Sequence, residues 1–137
     1  MSSEWPITHF GLDAATMDST ARSVLTGDKR ATTSLFASYA FDGEPLPFVG
    51  QRSIVRDSRD QDIAIIEVTR IERRRYCDVD AAFAQIEGAG DKSLAYWQKV
   101  HWAYLGEECT RCGIGLDREI EVVLEYFKVV KPLNTTD

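Results

Sequence analysis

The residues best suited to chemistry crowd into nine positions, Gly27 to Leu35, which read GDKRATTSL. Lys29, Arg30, Thr32, Thr33 and Ser34 supply an amine, a guanidinium and three hydroxyls within six positions. Lys29 and Thr32 are three apart, a spacing at which a turn sets an amine beside a hydroxyl and so gives a weak nucleophile its base. The lysine can do this only as a neutral amine. Its ordinary pKa is about 10.4, so burial or nearby cations must lower it, and Arg30 stands beside it in the chain. The plainer alternative is a loop with a solvated lysine and capping threonines.

The elements on either side must position this loop. Asp13 caps a helix that begins at Ala14, with Ala14, Met17, Ala21, Val24 and Leu25 on one face at helical spacing. Gly27 stops it, because glycine enters the left-handed region without penalty. Ala31 to Phe41 reads as a strand, closed by Asp42-Gly43. Pro45 and Pro47 keep the next residues extended. Gln51 to Asp57 is a further strand. Ile63 to Arg75 is the longest, apolar on both faces at its start and therefore central there. Arg70, Arg73, Arg74 and Arg75 crowd its end. They read as a solvated strand end, with a phosphate-facing edge as the alternative.

Asp78 caps a short helix that ends at Glu87. A carboxylate there meets the negative end of the helix dipole, so Glu87 needs a cation or points elsewhere. Asp91 or Ser93 caps a third helix, with Leu94, Trp97, His101 and Tyr104 on its apolar stripe and Gly106 at its end. On that stripe Trp97 reads as packing and His101 as a satisfied core histidine. Glu107 to Leu116 is a loop holding Cys109 and Cys112. Ile120 to Val130 is the closing strand, where Glu125 shares a face with Val123 and Phe127 and reads as half-buried structure. The order of helix, three strands, two helices and strand predicts an α+β fold. Its sheet is antiparallel or mixed, closed or partly closed, with about three helices packed around it. Residues 1–132 form one domain and 133–137 a tail.

The totals narrow the function. With 137 residues, 44% apolar and 28% charged, the chain is sized and composed for one soluble domain with a real core. It has no apolar run long enough to span a membrane. The opening MSSEWPITHF lacks the basic and apolar parts of a signal peptide. Three cysteines, an odd number, argue for a reducing cytoplasm over a disulfide framework. A net charge of −6 disfavours broad binding to a phosphate backbone but leaves room for a nucleoside, or for RNA on a local basic patch. Cys109-Thr-Arg-Cys112 is a lone C-x-x-C. Zinc would need two more ligands from Cys77, His101 or His9, so no metal and no cofactor is expected.

Two segments together resemble the ASCH family of PUA-like β-barrels. GDKRATTSL is similar to the family's G-x-K-x-A-T-x-S-L at Gly27, Lys29, Ala31, Thr32, Ser34 and Leu35. EGAGDKSLAYWQKVH is similar to E-G-x-G-D-x-S-L-x-x-W-x-x-x-H at Glu87, Gly88, Gly90, Asp91, Ser93, Leu94, Trp97 and His101. The resemblance spans about Phe10 to Val130. Ala89 departs from it where larger members often carry a glutamate, so any role of that carboxylate is missing here. The resemblance implies a barrel whose cleft receives a nucleoside or single-stranded RNA, on a monomer or weak homodimer. Small bacterial members hydrolyse N4-acetylcytidine with a lysine, a threonine and a glutamate, which here are Lys29, Thr32 and Glu87. Glu87 then either protonates the leaving nitrogen or holds Lys29. Arg30, Ser34, Asp91, Ser93, Tyr96, Trp97 and His101 are the expected substrate contacts. The expectation is thus an N4-acylcytidine amidohydrolase. The rivals are a ribonuclease acting on single strands and a non-catalytic RNA-binding module.

Overall fold

The computed structural model describes residues 5–11 and 13–133. Helix α1 (Ala14–Thr26) opens where the Asp13 carboxylate accepts the Thr16 N–H at 2.8 Å, and closes at Gly27 with φ of 95°. Five strands form one sheet in the order β1 (Ile7–Thr8), β3 (Arg52–Arg56), β4 (Asp62–Arg75), β5 (Glu121–Pro132), β2 (Ala31–Leu35). Strand β1 runs parallel to β3, and every other pair is antiparallel. The remaining helices are α2 (Phe36–Asp42), α3 (Ala81–Glu87) and α4 (Leu94–Cys112).

The sheet is mixed, as expected, but it does not close into a barrel. It curls until Phe10, just past edge strand β1, lies 5.0 Å from the Lys29 amine, just before the opposite edge strand β2. No ladder joins β1 to β2. The Arg30 carbonyl faces β5, where it accepts the Phe127 N–H at 3.0 Å. By alternation the Ala31 carbonyl faces outward. A closing strand would have to meet it there, and Lys29 Nζ takes it instead, at 2.8 Å.

Three expected boundaries move. The strand foreseen over Ala31 to Phe41 ends at Leu35, and α2 occupies the rest. The run FASYAFD is rich in the aromatic residues that favour strands, but Phe36 and Tyr39 are three apart, a helical spacing. Its Ser38 hydroxyl turns back onto the Leu35 carbonyl at 2.7 Å, and Gly43 at φ 68° ends the turn. Helix α4 passes through Gly106 and continues to Cys112, so Cys109 and Cys112 are helical. A mid-helix glycine costs about 1 kcal/mol, which burial of Leu105 and Cys109 on either side outweighs. Asp80, not Asp78, caps α3 by accepting the Phe83 N–H at 2.9 Å. Among the described residues there are thus four helices where about three were expected. Residues 134–137 of the expected tail lie outside the described residues.

Two cores flank the sheet. Helices α3 and α4 bury Phe83, Trp97 and Leu105 against Leu35 and Leu124. Helix α1 buries Ala21 and Val24 on the inner side of the curl, against Val55, Ala64, Ile66 and Phe127. Strands β2 and β5 are shared. Ala31, Thr33 and Leu35 face α3 and α4, whereas Thr32 and Ser34 face the inner side.

Candidate active site

Lys29 and Glu87 converge. Their side chains are 7% and 5% exposed, with Nζ 3.5 Å from Oε2. Three further donors serve the same carboxylate. Thr33 Oγ1 and Trp97 Nε1 each donate to Oε1 at 2.7 Å, and His101 Nε2 lies 3.0 Å from Oε2. The other ring nitrogen of His101 faces the Trp97 carbonyl at 3.0 Å, and the two rings stack at 4.4 Å. The imidazole is thus wedged between a carbonyl on one side and a carboxylate on the other. The cation that the dipole argument requires for Glu87 is Lys29.

This ring of donors fixes the charges. Burial alone would raise the Glu87 carboxyl, but Lys29, His101 and the Thr33 hydroxyl outweigh it and hold the group at about 2. For Lys29, burial lowers the amine below its ordinary value, and attraction to Glu87 only partly restores it. Its position adds directionality. Nζ donates to the carbonyl of the peptide that joins Ala31 to Thr32.

The other expected residues separate into groups. Thr32 does not face Glu87; the strand period gives that place to Thr33. Thr32 is paired with Glu125 across the β2–β5 ladder, and directly opposed residues share a face. Ser34 is on that face too, its Oγ 2.7 Å from the Tyr39 hydroxyl of α2. Burial raises the Glu125 carboxyl, and the nearby Tyr39 hydroxyl partly counters it. Trp97, at 1% exposure, has no face to offer a base, and it holds Glu87 instead. His101 serves the same carboxylate. Arg30 caps α1 through the Val24 carbonyl at 2.7 Å. Asp91 accepts the Ser93 N–H at 2.9 Å, and Ser93 caps α4 through Tyr96. Tyr96 is 40% exposed and packs over Gly90.

The two signature segments are joined through backbone. The Arg30 N–H donates to the Ile86 carbonyl at 2.9 Å. Gly88, at φ 79°, approaches so closely that a β-carbon there would lie 1.9 Å from the Asp28 carbonyl oxygen.

A model of the ASCH domain family matches residues 6–131. The chain belongs to the ASCH domain family. An ASCH domain from Lactobacillus crispatus JV V101 is similar in structure at a TM-score of 0.89, with 38% identity over 93% of this chain and 80% of that one. A protein from Enterococcus faecalis V583 follows at 0.86, with 29% identity over 94% of this chain and 78% of that one. A mutant ASCH protein from Zymomonas mobilis, 10% identical with a TM-score of 0.54 over 86% of this chain and 70% of that one, shares the fold. No curated protein matches the chain.

Sequence reasoning on this ASCH domain missed Thr33, which donates to Glu87, and Tyr39, which meets Ser34. Two-residue alternation from Ala31 already puts Thr32 and Thr33 on opposite faces. Tyr39 was hidden by the strand assigned over α2. The arginines at the end of β4 are neutralised locally: Arg70 and Arg74 by Glu72, Arg73 by Glu121 at 2.7 Å, and Arg75 by Asp78 at 2.8 Å. Among the described residues no helix is long and apolar enough to cross a membrane.

Proposed function

We propose that this ASCH domain is a hydrolase that removes an acyl group from the exocyclic nitrogen of a cytidine-type nucleoside. The observation that carries this reading is the Lys29 amine. It is buried and lowered, held by an ionised carboxylate, and set against the peptide of Thr32. A buried lysine with a lowered pKa is a usable base. In this scheme Lys29 takes a proton from the attacking oxygen. The attacking oxygen is that of a water, because the Thr32 hydroxyl lies on the strand face away from Glu87. Glu87 orients and restrains Lys29, because its oxygens are occupied by donors and it carries no proton to give. Paired arginines and a net charge of −6 favour a small nucleoside over a long polyanion.

The test is direct. The protein is incubated with N4-acetylcytidine while the absorbance of the acylated base is followed. Turnover that disappears in Lys29→Met, with the variant still folded, supports the reading. Absence of turnover, or turnover indifferent to Lys29→Met, removes it.

A further inference from the structure

A base acts only on what reaches it, and the Lys29 amine is buried. It is held by the Ala31 carbonyl and by Glu87, itself 4% exposed. The Phe10 ring also stands against it, with its centroid 5.0 Å from the amine, and Phe10 is half-buried. Among the described side chains set against the amine, Phe10 is the one that meets solvent, so the approach to Lys29 passes that ring. Phe10 also lies nearly parallel to Phe127 of β5, at 12° with centroids 5.8 Å apart, an offset stack. Phe127 is 4% exposed, and its N–H is fixed on the carbonyl of Arg30, the residue that follows Lys29. An aromatic floor with an amine at the ring face would hold a flat six-membered ring within reach of Lys29. Here the chain supplies that ring itself.

The mounting of Phe10 suits it to leaving. It belongs to no strand or helix and lies between β1 and α1. Its carbonyl accepts the Thr20 hydroxyl. Gly11, at φ 122°, is so close to α1 that a β-carbon there would lie 2.7 Å from Thr16 Cγ2. The backbone is therefore pinned beside the side chain, and the ring can swing out about its own torsions without unseating the segment.

We propose that Phe10 fills the seat of the substrate's pyrimidine, and that the nucleoside binds by displacing it and stacking on Phe127 beside Lys29. The identity of that base rests on the amidohydrolase reading above. Such a plug weakens binding, because the apparent Kd is the intrinsic one divided by the fraction of molecules whose seat is open. Removing the ring removes that cost.

The test measures cytidine binding by calorimetry and N4-acetylcytidine hydrolysis in wild type and Phe10→Ala. In Phe10→Ala, the Kd for cytidine and the KM for N4-acetylcytidine should each fall on the order of tenfold. In wild type, nuclear Overhauser contacts should join the base protons of bound cytidine to the Phe127 ring, while those between Phe10 and Phe127 vanish at saturation. This second measurement decides the matter if Phe10→Ala does not fold. Cytidine bound no more tightly by folded Phe10→Ala, or Phe10–Phe127 contacts that survive saturation, overturns the assignment. The outcomes also separate the two levels. If wild type fails to hydrolyse N4-acetylcytidine yet Phe10→Ala binds cytidine more tightly, the seat stands and the hydrolase reading falls. If wild type hydrolyses, Lys29→Met does not, and Phe10→Ala binds cytidine no more tightly, the hydrolase reading stands and the seat falls. If wild type neither hydrolyses N4-acetylcytidine nor binds cytidine, both fail.

Discussion

Glu87 and Glu125 approach strand β2 from opposite sides, and the fold treats them in opposite ways. Glu87 sits at the end of α3 and receives Lys29, Thr33, Trp97 and His101, so it stays ionised down to about 2. Glu125 sits on β5 with Tyr39 for company, and burial pushes its carboxyl up. Loss of water acts on both. The difference lies in the donors supplied, which decide whether a buried carboxyl is pulled down or pushed up. A fixed charge suits holding Lys29 in place.

The largest expected effect of breaking this contrast is on stability at Glu87. Glu87→Ala strands Lys29 and His101 without their counter-ion and should cost about 3–5 kcal/mol in urea unfolding, whereas Glu125→Gln should cost less than about 1 kcal/mol. Equal losses would mean that the two carboxyls are not differently built in.

The adjacent threonines give the next largest contrast. Thr33→Val removes a donor from Glu87 and should cost about 1–2 kcal/mol while leaving Lys29 in place. Thr32→Val, on the other face of the strand, should change stability by less than about 0.5 kcal/mol. The reverse pattern would exchange their roles.

Acid titration sharpens the comparison further. The Glu87 carboxyl is depressed from 4.5 to about 2, so its contribution to stability is complete above about 4.5 and is lost as pH falls towards about 2. Glu125 is raised, so its effect has the opposite sign. It favours the folded state at low pH and loses that advantage as pH rises through its folded value. Unfolding free energies of Glu125→Gln should therefore improve relative to wild type with rising pH. The smallest effect belongs to the exposed pairs of β4. Arg73→Ala should change stability by no more than about 1 kcal/mol, measured in the same urea series.

Much of this arrangement was written in local patterns. Asp13 and Gly27 marked both ends of α1. The apolar start of β4 marked it as central, and alternation put Glu125 beside Val123 and Phe127. The misreadings came where tertiary packing overrode local signals. FASYAFD carries strand-favouring aromatics but coils, because Leu35 ends its ladder and Ser38 bonds back. Gly106 looks like a stop, but the helix on both sides of it has a core to fill. The site was half legible. Lys29 and Glu87 were named and do meet, but which threonine faces the carboxylate depends on a one-residue phase. The donors Trp97 and His101 looked like packing because they sit on the apolar stripe of α4. They are both packing and ligands to one buried charge.

The contact of Gly88 with the Asp28 carbonyl, together with the Arg30 to Ile86 hydrogen bond, has an evolutionary consequence. Segments 27–35 and 87–93 are separated by more than a third of the chain yet machined as one casting. A lineage cannot exchange either for a relative's version without carrying the other along. Drift in this domain is therefore channelled into the stretches outside that weld.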